Sequence, residues 1–174
     1  IDMLKLYDLT IEYKHEPLGL DEVQPRFSWK LDSDKQDTVQ TSYRLQVMQS
    51  GAVVWDSGAV ESEQSILNEY LGPNLAPRTE YTWSVTVTDN QGDTADAEIC
   101  LETGLLDGGA FEGKAKWITS AFDKDSTVSP VLYKEFTVSG PVDKARLYAT
   151  AQGMYEAEIN GEPADETYFH PGWT

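Results

Sequence analysis

The chain has 174 residues and carries 30 acidic against 13 basic side chains, so its formal net charge is −17. This excess of acid argues against nucleic acid and anionic membrane surfaces as partners, because proteins bind both through clustered Lys and Arg. A hydrophobic fraction of 40% and an aromatic fraction of 11% are too high for a disordered chain, so a packed core is expected.

A single cysteine, Cys100, excludes an intrachain disulfide and a cysteine-based zinc cluster. No apolar run approaches the roughly 18–20 residues that a transmembrane helix needs. The first twenty residues also lack the basic and then apolar segments of a secretory signal. Together these features favour the cytoplasm as the location of the protein.

Apolar and polar residues alternate along most of the chain, which predicts strands with one face toward a core. The clearest run places Tyr81, Trp83, Val85 and Val87 between Thr and Ser residues. Seven short strands are predicted in the first part of the chain, at 9–13, 26–31, 42–49, 53–55, 65–69, 80–88 and 97–103. This count and spacing are typical of an immunoglobulin-like sandwich.

Residues 75–83 (LAPRTEYTW) have the form of a tyrosine corner, in which the ring of Tyr81 is buried and its hydroxyl bonds to the backbone upstream. In this respect the first module resembles fibronectin type III domains. Trp29 and Trp83 fall on the predicted core rows of that module.

A glycine-rich stretch (GLLDGGAFEG, 104–113) follows the seventh predicted strand and indicates a boundary. We therefore predict a fibronectin type III-like β-sandwich at 1–104, a linker at 105–113 and a partial second β-sandwich, jelly-roll-like, at 114–174. Its strands are predicted at 116–118, 131–138, 144–151 and 154–160, and a further one from Glu162. Asn160-Gly161 is typical of a two-residue hairpin turn. The predicted fold class is all-β.

Many ordered segments along nearly the whole chain resemble the N-terminal portion of bacterial α-L-rhamnosidases. Each segment is mostly strand and turn chemistry, but their order and spacing are specific to that family. The segments are EYKHEPLGLD (12–21), PRFSWKL (25–31), TSYRLQV (41–47), WDSG (55–58), ETGLLD (102–107), AKWI (115–118), KARLY (144–148), YEAEING (155–161) and PGWT (171–174).

The resemblance implies a large enzyme made of a fibronectin-like domain, further β-sandwiches and an (α/α)₆ barrel that removes terminal α-L-rhamnose by inverting hydrolysis. It implies that the barrel and its catalytic carboxylates lie beyond Thr174, so that this chain is a non-catalytic fragment. The partners implied are the remaining domains of the parent enzyme and, for the parent, rhamnose-containing glycosides.

The residues themselves offer few candidates for chemistry. Inverting hydrolysis needs two carboxylates about 6.5–9.5 Å apart, and two pairs have a suitable spacing along a strand: Glu61 with Glu63, and Glu156 with Glu158. In the second pair the alternation with Tyr155, Ala157 and Ile159 places the glutamates on the solvent face. A solvated, structural role is favoured for both pairs, so no catalytic residue is assigned.

No cofactor-binding or metal-binding residue is assigned either. His15 and His170 belong to different modules, and neither has Cys or His neighbours at ligand spacing. Cys100 is interpreted as an ordinary strand residue. Among the aromatics, Trp55, Trp117 and Trp173 could contact sugar, although packing is favoured for all three.

Two alternatives to the enzyme-fragment hypothesis remain open. The chain could be a stand-alone module that binds carbohydrate or protein through exposed strands and aromatics. It could also dimerise through the unpaired strand edges of its second module.

Overall fold

A computed structural model of the chain describes residues 4–106, 115–121 and 128–171. Contacts between Cα atoms divide the chain into two compact units, Ile1–Ile118 (unit 1) and Thr119–Thr174 (unit 2). Most of the predicted linker, and Trp173, lie outside the described residues.

The described residues form strands and no helix, in agreement with the predicted all-β class. The strands are β1 (Leu4–Ile11), β2 (Leu18–Leu20), β3 (Arg26–Ser33), β4 (Gln40–Gln49), β5 (Ala52–Asp56), β6 (Val60–Glu61), β7 (Asn68–Glu69), β8 (Glu80–Asp89), β9 (Thr94–Thr103), β10 (Glu158–Ile159) and β11 (Glu162–Pro163). Since the described residues hold no helix at all, none is present there that could cross a membrane.

Unit 1 consists of two sheets that enclose one core. The smaller sheet has the order β1-β3-β7, and the larger has the order β2-β9-β8-β4-β5, with β6 also paired to β4. These pairs are antiparallel except β2 with β9, which run parallel.

The core follows from the period-two alternation of the strands. In β8 the apolar residues Trp83, Val85 and Val87 are fully buried, while the Thr and Ser residues between them face outward. Phe27 of the other sheet stacks on Trp83, with 4.6 Å between ring centroids. Trp29 is also buried, and its indole N–H donates a 2.9 Å hydrogen bond to Gln40 Oε1. The two tryptophans predicted for the core therefore lie there.

The predicted tyrosine corner is confirmed. The Tyr81 ring is buried, and its hydroxyl accepts a 2.9 Å hydrogen bond from the Ala76 backbone N–H. This bond ties the start of β8 to the preceding loop, where it satisfies a backbone donor that β pairing does not reach.

The first strand was predicted at 9–13, but it runs over Leu4–Ile11. The pairing with β3 shifts between Tyr7 and Thr10, and Asp8 within that irregularity has a φ of 49°. A bulge changes which side chains face the core, so it obscures the alternation from which the strand was predicted. The strand predicted at 65–69 is shortened to β7, and Leu67 just before it has a φ of 54°.

Unit 2 contains one hairpin, formed by β10 and β11. Asn160 and Gly161 connect the strands with φ angles of 55° and 83°, which is the left-handed pair that a type I′ turn requires. The strands predicted at 116–118, 131–138 and 144–151 do not form. A strand exists through hydrogen bonds to a neighbour, and alternation alone indicates a face without supplying that neighbour.

Candidate functional site

The two carboxylate pairs lie on the surface. Glu61 ends β6, Glu63 lies in the loop that follows, and both are exposed. Glu156 and Glu158 are exposed as well, as the solvent-face prediction requires. The same alternation predicts an inward position for Ile159, and this is wrong: its side chain is about half exposed, and no second sheet covers it among the described residues of unit 2.

Two carboxylates of unit 1 have pKa values that an arginine partner lowers. Glu12 accepts two hydrogen bonds from the Arg26 guanidinium, at 3.0 Å from Nε and 2.7 Å from Nη2, and a third from the Arg26 backbone N–H at 2.7 Å. The side-chain bonds to Arg26 hold the pKa of Glu12 below its usual value. A glycosidase acid needs a raised pKa so that it can donate a proton, so Glu12 is suited to structure rather than to acid catalysis.

Asp56 is held ionised by a similar set of donors. Its carboxylate pairs with the Arg44 guanidinium and also accepts hydrogen bonds from the Gly58 backbone N–H at 2.8 Å and Gln46 Nε2 at 2.9 Å. The Arg44 bond, followed by the Gly58 bond, lowers the pKa of Asp56 well below its ordinary range. Through these contacts the Trp-Asp-Ser-Gly segment holds the end of β5 against β4.

Each histidine is paired with a carboxylate of its own unit. His15 Nδ1 lies 3.1 Å from the Leu9 carbonyl and its Nε2 lies 3.3 Å from Asp8, which also binds Lys30 at 2.6 Å. His170 Nε2 lies 2.9 Å from an Asp165 carboxylate oxygen. In the described parts of the chain, no three His, Cys, Asp or Glu side chains are grouped so that they could hold a metal ion.

Cys100 lies on the exposed outer face of β9, 3.8 Å from the Thr82 hydroxyl of β8. A nucleophilic thiol needs an adjacent base or cation, and this contact supplies a hydroxyl. The position agrees with the interpretation of Cys100 as a strand residue.

The remaining tryptophans differ in exposure. Trp55 is partly buried at the sheet edge, where its ring meets Tyr70 edge to face at a centroid distance of 5.0 Å. Trp117 is 68% exposed. Trp55 is therefore a packing residue, whereas Trp117 is an indole that a ligand or a neighbouring domain could reach.

The structure brings none of these candidates together into one site. Two polar contacts of unit 1, Glu12 with Arg26 and Gln40 with Trp29, join residues that are 14 and 11 positions apart in the sequence. No local motif in the sequence marks either pair.

Two family models match the chain in order. The "Rha78A-like, N-terminal immunoglobulin domain" covers residues 6–107, and the "Alpha-L-rhamnosidase N-terminal domain" covers residues 140–174. The first match spans all nine strands of unit 1 except the first residues of β1. This chain belongs to the α-L-rhamnosidase family.

Curated members of the α-L-rhamnosidase family are similar along most of this chain. The enzyme of Streptomyces avermitilis is 42% identical over 124 residues, which are 67% of this chain and 12% of the relative. That of Alteromonas sp. (strain LOR) is 32% identical over 177 aligned positions, covering 91% of this chain and 19% of the relative. The chain thus spans between about an eighth and a fifth of the curated α-L-rhamnosidases that it matches.

Solved α-L-rhamnosidases contain a domain of the same fold. The S. avermitilis enzyme, crystallised in complex with L-rhamnose, matches with a TM-score of 0.57 and 40% identity over 60% of this chain and 11% of its own. The enzyme from Dictyoglumus thermophilum matches with the same TM-score of 0.57 and 32% identity over 62% and 13%. Unit 1 is therefore the immunoglobulin-like domain of the α-L-rhamnosidase family.

Proposed function

We propose that this chain is the non-catalytic N-terminal part of an α-L-rhamnosidase, a glycosidase that removes terminal non-reducing α-L-rhamnose by inverting hydrolysis. The observation that carries the proposal is the ordered match along 91% of this chain to only 19% of a curated relative. The rest of such an enzyme, the (α/α)₆ barrel included, supplies the general acid and base.

The carboxylates of this chain support the proposal. Glu61, Glu63, Glu156 and Glu158 are exposed, whereas a catalytic acid and base flank a bound sugar in a cleft. Glu12 and Asp56 are held ionised by arginine, with pKa values below their ordinary ones.

The remaining domains of the parent enzyme are the first partner of the chain in this proposal. Unit 2 carries large apolar side chains that lie mostly in solvent, such as Val131, Tyr133 and Phe136. Contiguous apolar surface is typical of a region that another part of the protein covers. In this account the immunoglobulin-like domain serves as a packing and spacing domain beside the later β-sandwiches, and rhamnose-containing glycosides are the substrates of the whole enzyme.

Hydrolysis of nitrophenyl α-L-rhamnoside tests the proposal. The purified 174-residue chain is expected to release no nitrophenol above the blank, while the longer protein from the same gene releases it. Glu156→Gln and Glu158→Gln variants are the matched controls, because any activity of this chain that they abolish would assign catalysis to it. Turnover by the chain that survives further purification would overturn the proposal.

A second candidate function is a binding module for carbohydrate or protein, and the exposed indole of Trp117 favours it. Titration of rhamnose against tryptophan fluorescence separates the two candidates. A saturable shift that the Trp117→Phe variant loses would support binding, and no response up to tens of millimolar would remove it.

Self-association through the strand edges of unit 2 is a further proposal about partners. The hairpin of β10 and β11 has no third strand among the described residues, so both of its edges can pair with another chain. Light scattering tests it: a dimer mass would support it, and a monomer mass at all concentrations would exclude it.

A further inference from the structure

The two ends of the unit 1 sandwich differ in chemistry. We define the acidic end as residues 34–39 and 89–93, and the corner end as residues 12–25, 70–79 and 102–106. Hydrogen bonds place each set at one end: Lys35 pairs with Asp93 across the acidic end, whereas the backbone N–H groups of Leu75 and Gly104 donate to Val23 and Leu20 across the corner end.

Most side chains at the acidic end bond to the loop that faces them, although the buried Oδ2 atom of Asp89 has no hydrogen-bond partner among the described residues. Asn90 Nδ2 donates to the Asp37 carbonyl at 2.9 Å, and Gln91 Nε2 donates to the Gln36 carbonyl at 3.2 Å. The side chains that meet there are almost all charged or amides. Such a surface is well solvated by water and indicates no partner.

The chain leaves the sandwich at the corner end through residues 102–104, which hydrogen bonds hold in place. The Glu102 backbone N–H donates to the Pro17 carbonyl at 2.9 Å, and the Gly104 carbonyl accepts from Arg78 N–H at 2.8 Å. Thr103 is fully buried, and its hydroxyl donates to the Ala76 carbonyl at 2.6 Å. Residues 102–104 are therefore held on both sides, by the loop before β2 and by the tyrosine corner.

The corner end also carries most of the strongly exposed large hydrophobic side chains of the sandwich itself, residues 4–106. Four large hydrophobic side chains among residues 4–106 are more than 60% exposed: Leu71 at 72%, Tyr13 at 69%, Leu18 at 66% and Ile66 at 64%. Leu71, Tyr13 and Leu18 lie at the corner end, and only Ile66 lies away from it.

The backbone around these three residues is well anchored. Leu18 is opposite Glu102 in the β2–β9 pair, and Leu71 follows Tyr70, whose N–H donates to the Pro25 carbonyl at 3.0 Å. Tyr13 lies in a tight turn closed by reciprocal 2.9 Å bonds between Ile11 and Lys14. Side chains presented from a fixed backbone lose little further entropy when they are covered.

We propose that the corner end docks on the rest of the parent α-L-rhamnosidase, whose apolar surface covers Tyr13, Leu18 and Leu71. This inference rests on the proposed function. Because the chain leaves the sandwich at this end, the protein that follows is tethered to it, and tethering raises its effective concentration at these three side chains. The chain accounts for only 12% to 19% of the two relatives described above, so a large surface is available to cover it.

The net charge argues against a second copy of the chain as the occupant. Each copy carries a formal charge of −17, and like charges at this density repel. A domain that is joined to this one through the chain does not have to approach it from solution as a separate molecule against this repulsion.

Hydroxyl-radical footprinting tests the docking with a tyrosine pair inside one domain. Tyr13 lies at the corner end, and Tyr7, which is 44% exposed in β1, is the control. In the longer protein Tyr13 should be oxidised several-fold more slowly than in the 174-residue chain, and Tyr7 at the same rate in both. Equal oxidation of Tyr13 in the two proteins would overturn the proposal. Protection of Tyr13 that grows with concentration of the 174-residue chain would also overturn it, in favour of a second copy.

Matched variants locate the contact. Leu71→Asp and Ile66→Asp place a carboxylate at two exposed apolar positions, so both should leave the melting temperature of the 174-residue chain unchanged. In the longer protein only Leu71→Asp should restore the oxidation of Tyr13 toward its rate in the short chain. Equal effects of the two variants would contradict docking at the corner end.

Rhamnoside hydrolysis is measured on the same longer protein, so the two proposals fail separately. Protection of Tyr13 without hydrolysis would reject the proposed function and retain the docking. Hydrolysis without protection would reject the docking alone.

Discussion

Units 1 and 2 share a sequence pattern but differ in what the pattern achieves. The alternating residues of β8 are buried between two sheets, whereas the similar alternation at 132–138 leaves Phe136 75% and Val138 55% exposed. A strand is stabilised when its apolar row meets a facing sheet and its backbone meets a neighbour. The difference teaches that alternation specifies a face, and that a strand forms only where the fold also supplies a partner for that face.

The largest expected effect comes from a core aromatic compared with its exposed counterpart. Trp83→Ala should destabilise unit 1 by about 3–5 kcal/mol, the usual cost of removing a large buried ring. The Trp83 indole N–H has no hydrogen-bond partner among the described residues, so the loss is one of packing. Phe136→Ala in unit 2 should change stability by less than about 0.5 kcal/mol. Urea unfolding followed by circular dichroism measures both changes. Comparable losses of stability in the two variants would contradict the contrast between the buried and the exposed ring.

A glycine pair sharpens the comparison at the level of the backbone. A Cβ on Gly104 would overlap Asp21 Oδ1 and lie 3.0 Å from the Gly19 carbonyl, whereas one on Gly140 meets nothing within 4 Å. Gly104→Ala should therefore cost roughly 1–3 kcal/mol through forced displacement of the β2 loop, and Gly140→Ala should be neutral. Thermal unfolding of the two variants measures both effects. An unchanged melting temperature for Gly104→Ala would show that the loop around Gly19 and Asp21 moves aside at no cost.

Two tyrosine hydroxyls offer a smaller contrast. Tyr81→Phe leaves the Ala76 N–H without its acceptor in the corner, so a loss of about 1 kcal/mol is expected. Tyr133→Phe removes an exposed hydroxyl that bonds to Glu135 in solvent, so no measurable loss is expected. Equal denaturation midpoints for Tyr81→Phe and the unaltered chain would contradict the role of the corner.

The smallest expected effect is a dependence on pH in the acid range. The pKa values of Glu12 and Asp56 are lowered by their arginine partners in the folded state. Their contribution to stability is present above the ordinary carboxyl pKa of about 4 and is lost as the pH falls from there through the folded values. The Asp56→Asn variant should show a shallower loss of stability below about pH 4 than the unaltered chain. Parallel curves for the two proteins would exclude Asp56 from the acid transition.

The sequence predicted most of unit 1, because its long strands carry their own alternation and its tyrosine corner is a local motif. It missed β2, three residues around Gly19 whose parallel partner β9 lies some eighty positions away in the chain. It displaced β1 because Asp8 and the bulge break the alternation. For β2, the determining contact joins residues far apart in the sequence. For β1, the determining feature is a set of backbone angles that composition does not reveal.

The candidate site residues also show that spacing along the chain does not reveal the contacts that the fold creates. Glu61, Glu63, Glu156 and Glu158 were chosen by spacing, and their exposure agrees with the solvated role predicted for them. Glu12 and Asp56, whose pKa values are lowered by arginine partners, were not singled out. Their pKa values depend on which arginine the fold brings beside them, and spacing along the chain carries no such information.

Amide hydrogen exchange, compared between the 174-residue chain and the longer protein from the same gene, tests the central contrast most directly. The amides of β4, β8 and β9 should be strongly protected in both proteins, because their ladder and core lie within unit 1. The amides of residues 131–138 and 144–151 should exchange rapidly in the short chain and, if this chain is part of the parent enzyme proposed above, slowly in that longer protein. Strong protection of those segments in the 174-residue chain itself would contradict the account.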